Sequence, residues 1–165
     1  MTDRIQLSEV EIERLRQSGI RLDGEGRFWH EGEEVRHAGL RAALWRWLDR
    51  NPDGRHVLRL DERRFVYLDV DDVPHLVRSL RWDGDRAWIL LADGTEEELE
   101  YATVHLRGGG AAYCKVKGGR LEARISTAAW GSLAERLLER GEGVFLQAAG
   151  KGFPLAVPPE ASEVR

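Results

Sequence analysis

The chain has 165 residues, enough for one medium domain or two small lobes, and a net charge of −4, with arginines and carboxylates mixed along its length. That balance argues against a general DNA-binding protein, which concentrates positive charge on one face. A lone cysteine (Cys114), a polar start and the lack of any window of about 20 apolar residues argue against a disulfide framework, export and a spanning helix, so a soluble cytoplasmic protein is expected.

In chain order, the first element is a helix over 1–18, with Ser8 as N-cap, Glu11 as its capping-box partner, Leu7 placed to staple against Ile12, and Gly19 as the stop. A turn at Asp23-Gly24-Glu25-Gly26 leads into an extended run from Arg27 to His30. From Leu40 to Arg50, Leu40, Leu44, Trp47 and Leu48 form one helical stripe, which leaves Trp45 off it, facing another lobe or an open surface. Val57–Leu60 and Phe65–Val70 read as antiparallel strands, and Pro74 forces Val73 into an extended conformation. Further on, Trp88–Ala92 and Leu99–Leu106 flank the hairpin turn Asp93-Gly94, while Tyr113–Lys117 and Arg120–Ile125 flank Gly118-Gly119. A last helix starts at Ser126 or Thr127, carries Trp130, Leu133, Ala134, Leu137 and Leu138 on one face, and ends at Gly141. Val144–Leu146 and Phe153–Leu155 close the fold as short strands, and 157–165 reads as a flexible tail.

Two segments echo one another. Asp23-Gly24-Glu25, Arg27, Trp29, Gly32 and Glu33-Glu34-Val35 are matched by Asp83-Gly84-Asp85, Arg86, Trp88, Gly94, Glu96–Glu98 and Leu99. Asp-Gly turns ahead of a tryptophan also recur by chance. A duplication implies two similar lobes, 19–80 and 81–156, each with a strand carrying a buried tryptophan and with a ligand cleft between them. The expected fold class is therefore α+β, two β-rich lobes of antiparallel strands, each with a helix.

The chemistry-bearing residues point to binding rather than catalysis. Cys114 alternates with Tyr113 and Lys115 in a strand and is read as a buried structural thiol, and no nucleophile elbow is present. The five histidines lack metal-ligand spacing, and no cofactor motif occurs. Asp69 and Asp71 would share one face of a strand and, with Asp72, could grip a divalent ion for hydrolysis, although a solvated strand end explains them as well. Lys151, in a glycine-flanked turn next to Phe153, could meet a nucleotide or another anion, or be a plain turn residue. A protein-interaction adaptor that docks partners through Trp45 or a β-edge is the rival reading.

Ile20-Arg21-Leu22-Asp23-Gly24 with Trp29-His30-x-Gly32, Leu48-Asp49-Arg50 ahead of Asp53-Gly54, Val70-Asp71-Asp72-Val73-Pro74 and Gly119-Arg120-Leu121-Glu122-Ala123-Arg124-Ile125 occur in this order. With Gly143-Val144 and Gly152-Phe153-Pro154-Leu155, they resemble the bacterial domain-of-unknown-function family 1285 over about residues 19–156. The resemblance implies a duplicated core whose C-terminal lobe is pleckstrin-homology-like. It also implies a signalling role and a small anionic, nucleotide-like ligand at the lobe junction, drawing on Trp29, Asp72, Pro74, Arg124 and Phe153, to which His75 and Lys151 are added. His75 stands where an aromatic residue is expected after the proline, and Gln147-Ala148-Ala149-Gly150 replace small polar residues. Both changes bear on which ligand is held.

Overall fold

The computed structural model describes residues 8–156. The Leu7 staple and the tail from 157 lie outside them. The chain divides into two units between Asp72 and Val73, and each is described by itself.

The N-terminal unit opens with α1 (Glu9–Leu15), capped as expected: Ser8 Oγ accepts from the Glu11 backbone N–H at 3.3 Å, and the Glu11 carboxylate accepts from Ser8 N at 2.8 Å. It stops before Gly19, with Arg16 as C-cap and no buried residue to hold a further turn. Then come β1 (Gln17–Leu22), β2 (Phe28–His30), β3 (Glu33–Glu34), α2 (Ala38–Trp47), β4 (Leu48–Arg50), β5 (His56–Arg59) and β6 (Phe65–Val70). Gly19, at φ +69, sits inside β1, where the register against β6 shifts. The sheet runs in the order β3-β2-β1-β6-β5-β4.

The buried face of α2 is Ala43, Leu44 and Trp45, and Leu40 is exposed. This corrects the expected stripe. Trp45, 5% exposed, meets Phe28 of β2 edge to face at 4.8 Å between ring centroids. A large ring with a partner inside its own unit wins the core position over a leucine one turn earlier.

The C-terminal unit contains β7 (His75–Asp83), β8 (Arg86–Leu91), β9 (Glu96–Glu98), a 3₁₀ turn at Tyr101–Thr103, β10 (His105–Leu106), β11 (Ala112–Val116) and β12 (Leu121–Ile125). After these come α3 (Thr127–Ala134), β13 (Leu137–Arg140), β14 (Gly143–Ala148) and β15 (Lys151–Pro154). Its main sheet has the order β10-β11-β12-β7-β8-β9, and β13-β14-β15 form a separate small sheet.

The two six-stranded sheets share one topology. In each, three antiparallel strands step outward from the centre, a helical segment (α2 or the 3₁₀ turn) crosses over, and three antiparallel strands step back. The last of these lies parallel beside the first, β6 against β1 and β12 against β7. The sheets are thus mixed rather than wholly antiparallel, because the crossover returns the chain to the centre in its starting direction.

Other expected elements differ. The helix expected from Leu40 to Arg50 ends at Trp47, and Leu48–Arg50 form β4 against β5. β7 spans the place where one lobe was expected to end and the other to begin, and its register shifts between Val77 and Ser79. That bulge breaks the two-residue alternation by which a strand is read. Across the Asp93-Gly94 turn, β8 pairs with the acidic β9, and 99–106 splits between the 3₁₀ turn and β10. Finally, α3 ends at Ala134, and Leu137 and Leu138 form β13 against Leu146 and Phe145 of β14. Gly131 and Ser132 weaken a longer helix, and two leucines fit either period.

Candidate functional site

The residue echo read from the sequence is a repeated structural rung. In the N-terminal unit Arg21, Trp29 and Glu34 stand opposite one another across β1, β2 and β3, and in the C-terminal unit Arg81, Trp88 and Glu98 do so across β7, β8 and β9. Two guanidiniums approach each indole, those of Arg21 and Arg27 at 5.7 Å and those of Arg81 and Arg86 at 5.8 Å. Each arginine also meets a carboxylate: Arg21 meets Asp71, Arg27 meets Asp23, Arg81 meets Glu96 and Arg86 meets Glu98. Both tryptophans are half-buried rather than core residues, because the arginine stems and charges clothe their faces. The Trp29 indole N–H donates to Asp23 at 2.9 Å.

A denser constellation lies on the main sheet of the C-terminal unit. Gly118 and Gly119, both at positive φ, close the β11–β12 hairpin and set its register. Ala112, Cys114 and Val116 therefore face the core with Ala123 and Ile125, and Tyr113 faces the other way opposite Arg124. The register continues on both sides, so that His105, Tyr113, Arg124 and Leu76 make one row across β10, β11, β12 and β7. His105 stacks on Tyr113 with 5.8 Å between centroids, and the Arg107 guanidinium lies 4.1 Å from the centre of the same ring. Arg107 also meets Glu122 at 2.6 Å. One guanidinium and one imidazole thus meet the same ring, and Arg124, half-buried, stands opposite it in the row.

The expected site residues fall as follows. Trp29 and Asp72 belong to the N-terminal unit, where Trp29 forms the rung described above and Asp72 follows β6. Pro74, His75, Arg124, Lys151 and Phe153 belong to the C-terminal unit. Within it His75 and Arg124 lie on opposite faces of the main sheet, since His75 stands opposite Ala123 and Leu76 opposite Arg124. Pro74 is buried immediately ahead of β7. Phe153 of β15 stacks on Tyr101 at 5.2 Å, whereas Lys151 is exposed at the start of the same strand, opposite Ala148. His105, Arg107 and Tyr113 are not among the site residues expected from the sequence. The signal for Tyr113 was present, because a two-residue turn at Gly118-Gly119 places it across from Arg124.

His75, 3% exposed, is held in a polar cluster where the turns after β8 and β11 meet the start of β7. Its Nδ1 accepts from the Leu76 backbone N–H at 3.0 Å, and its Nε2 lies 3.6 Å from an Asp93 oxygen. Lys117 Nζ donates to Asp93 at 2.6 Å and to Thr95 Oγ1 at 2.8 Å, and Thr95 donates to Asp93 from both its hydroxyl and its backbone. Burial depresses the His75 pKa below 6.5, Asp93 works against this and Lys117 adds to it.

Asp71 is engaged by Arg21, Asp69 stands opposite Arg21, and among the described residues no group of three or more His, Cys, Asp or Glu side chains could hold a metal ion. No described helix is long and apolar enough to cross a membrane. An open groove of about 470 Å³ along α1 is lined by Glu9, Val10, Glu13, Arg14 and Gln17 and holds none of the expected site residues.

Fold and constellation together define an α+β protein of two β-rich units whose six-stranded sheets share one topology. Solved structures with this fold are DUF1285 family proteins. One from Silicibacter pomeroyi is 18% identical, with a TM-score of 0.71 over 84% of this chain and 80% of that one. Another, from Shewanella baltica, is 14% identical, with a TM-score of 0.60 over 73% of this chain and 93% of that one. At these identities the likeness establishes the fold, and at that level the resemblance read from the sequence is borne out. No family model matches the chain, and no curated protein matches it significantly.

Proposed function

We propose that this is a cytoplasmic binding protein, not an enzyme, which takes a small anionic, nucleotide-like ligand through Arg124 in a signalling or regulatory role. The observation that carries this reading is the row His105–Tyr113–Arg124, with Arg107 against the same phenol. A guanidinium presents a planar fork of donors that suits phosphate and carboxylate oxygens, and Arg107 and His105 add donors on the same face. Tyr113 serves as the pedestal that spaces the three groups. The pleckstrin-homology likeness implied by the family resemblance belongs to the same reading, in which a β-sheet module presents basic residues to an anion.

Thermal denaturation against a panel of nucleoside mono- and diphosphates tests it. A ligand at 100 times its Kd stabilises the folded state by about 2.7 kcal/mol. Wild-type protein should show a rise in Tm with at least one compound, and Arg124→Ala should abolish it while leaving the ligand-free Tm within a few degrees. Silence across the panel, or an undiminished shift in the variant, would remove the reading.

A further inference from the structure

The cluster around His75 makes no use of the anion-binding row and has its own chemistry. Asp93 is shared: Lys117 holds one of its oxygens at 2.6 Å, and His75 Nε2 waits 3.6 Å from the same oxygen. While Nδ1 accepts from the Leu76 backbone, the ring proton sits on Nε2 and the imidazole is neutral, so the aspartate and lysine charges balance without it. Among the described residues, the charges that act on His75 include Asp93 from the turn after β8 and Lys117 from the turn after β11. From β12 it meets Ala123 in register, and Cys114 of β11 follows on the same face. Glu97 of β9 is one step removed, accepting from the Lys117 backbone at 3.0 Å.

A second proton on this ring cannot be absorbed in place. It would add a positive charge beside Lys117 in a nearly dry site, and it would turn Nδ1 from an acceptor into a donor facing the Leu76 N–H. Lys117 is the member that can leave. Its side chain is 27% exposed, and its backbone is held at φ +56, a conformation unfavourable for a residue with a β-carbon, ahead of two glycines that can re-form the turn. We propose that the cluster is a proton-driven latch, in which protonation of His75 transfers Asp93 from Lys117 to His75 and releases the β11–β12 turn. Near neutral pH Asp93 ties the two turns together through Lys117. In acid it ties the turn after β8 to the start of β7.

Proton-detected nitrogen NMR of the whole protein, followed from pH 7.5 to pH 4.5, reads the latch directly. His75 should titrate below 6.5, and the amides of Leu76 and Lys117 should lose protection from hydrogen exchange with the same midpoint. Lys117→Met should move that midpoint upward by removing the competing cation, and Asp93→Asn should move it downward. A midpoint above 6.5, amides that stay protected through the His75 titration, or a midpoint unmoved by Lys117→Met would each overturn the proposal. Because the wild-type titration precedes any substitution, misfolding of a variant leaves the test standing.

Discussion

Cys114 shows how one residue's surroundings decide its chemistry. Wholly buried on β11, its thiol is pushed up to about 12 by burial, with Glu97 and Glu100 adding to the effect. Almost no thiolate exists at pH 8, so the native protein should not react with a thiol reagent until it unfolds. Rapid labelling under native conditions would contradict this environment. Asp93 titrates in the opposite sense. Burial alone would raise its carboxyl, but the hydrogen bonds from Lys117 and Thr95 outweigh that and hold it at about 2 against an ordinary 3.8. A folded pKa below the unfolded one contributes stability that is complete above about 3.8 and is lost as the pH falls toward 2, on the order of 2 kcal/mol. Denaturant melts of Asp93→Asn should therefore show a weaker loss of stability across that window than wild type. His75 shapes the window above it: its folded pKa is depressed, so the unfolded chain takes up the proton first and stability declines as the pH drops below 6.5.

Among elements, α2 makes the sharpest prediction. Trp45→Ala should cost about 3–5 kcal/mol, since it empties the space beside Phe28, whereas Leu40→Ala should fall within about 0.5 kcal/mol of wild type. Urea melts that reversed this order would mean the other face of the helix is buried. The sequence stripe pointed to the opposite order, and the reason is physical: periodicity locates an apolar arc but does not rank a tryptophan against a leucine at its edge. The N-caps of α1 and α3 were legible in the sequence. Ser126 Oγ accepts from Ala129 N at 3.1 Å, and its replacement by alanine should lower stability by about 1 kcal/mol in the same melts. Strand β7 was not legible, because its bulge at Val77 and Ser79 hides the alternation. β13 is hidden within an expected helix because Leu137 and Leu138 satisfy both periods.

At the scale of the whole molecule, the duplication was the feature most legible in the sequence. Asp-Gly turns, tryptophans and acidic strand edges recur because the rungs Arg21–Trp29–Glu34 and Arg81–Trp88–Glu98 demand the same residues. The parallel joins β1·β6 and β7·β12 were hidden, since pairing between strands so distant in sequence leaves no local pattern. The candidate site was half visible. Arg124 came from the family resemblance; Tyr113 is not among the expected site residues although hairpin arithmetic places it opposite Arg124, and His105 and Arg107 reach that ring through tertiary pairing of β10 with β11. The claim on which the functional account rests is that this row receives an anion. Side-chain NMR of the arginine guanidinium and histidine nitrogens, recorded while a nucleoside monophosphate is added, tests it most directly. Saturable shifts are expected at Arg124, Arg107 and His105 together. Shifts confined to other residues, or none at millimolar nucleotide, would contradict it.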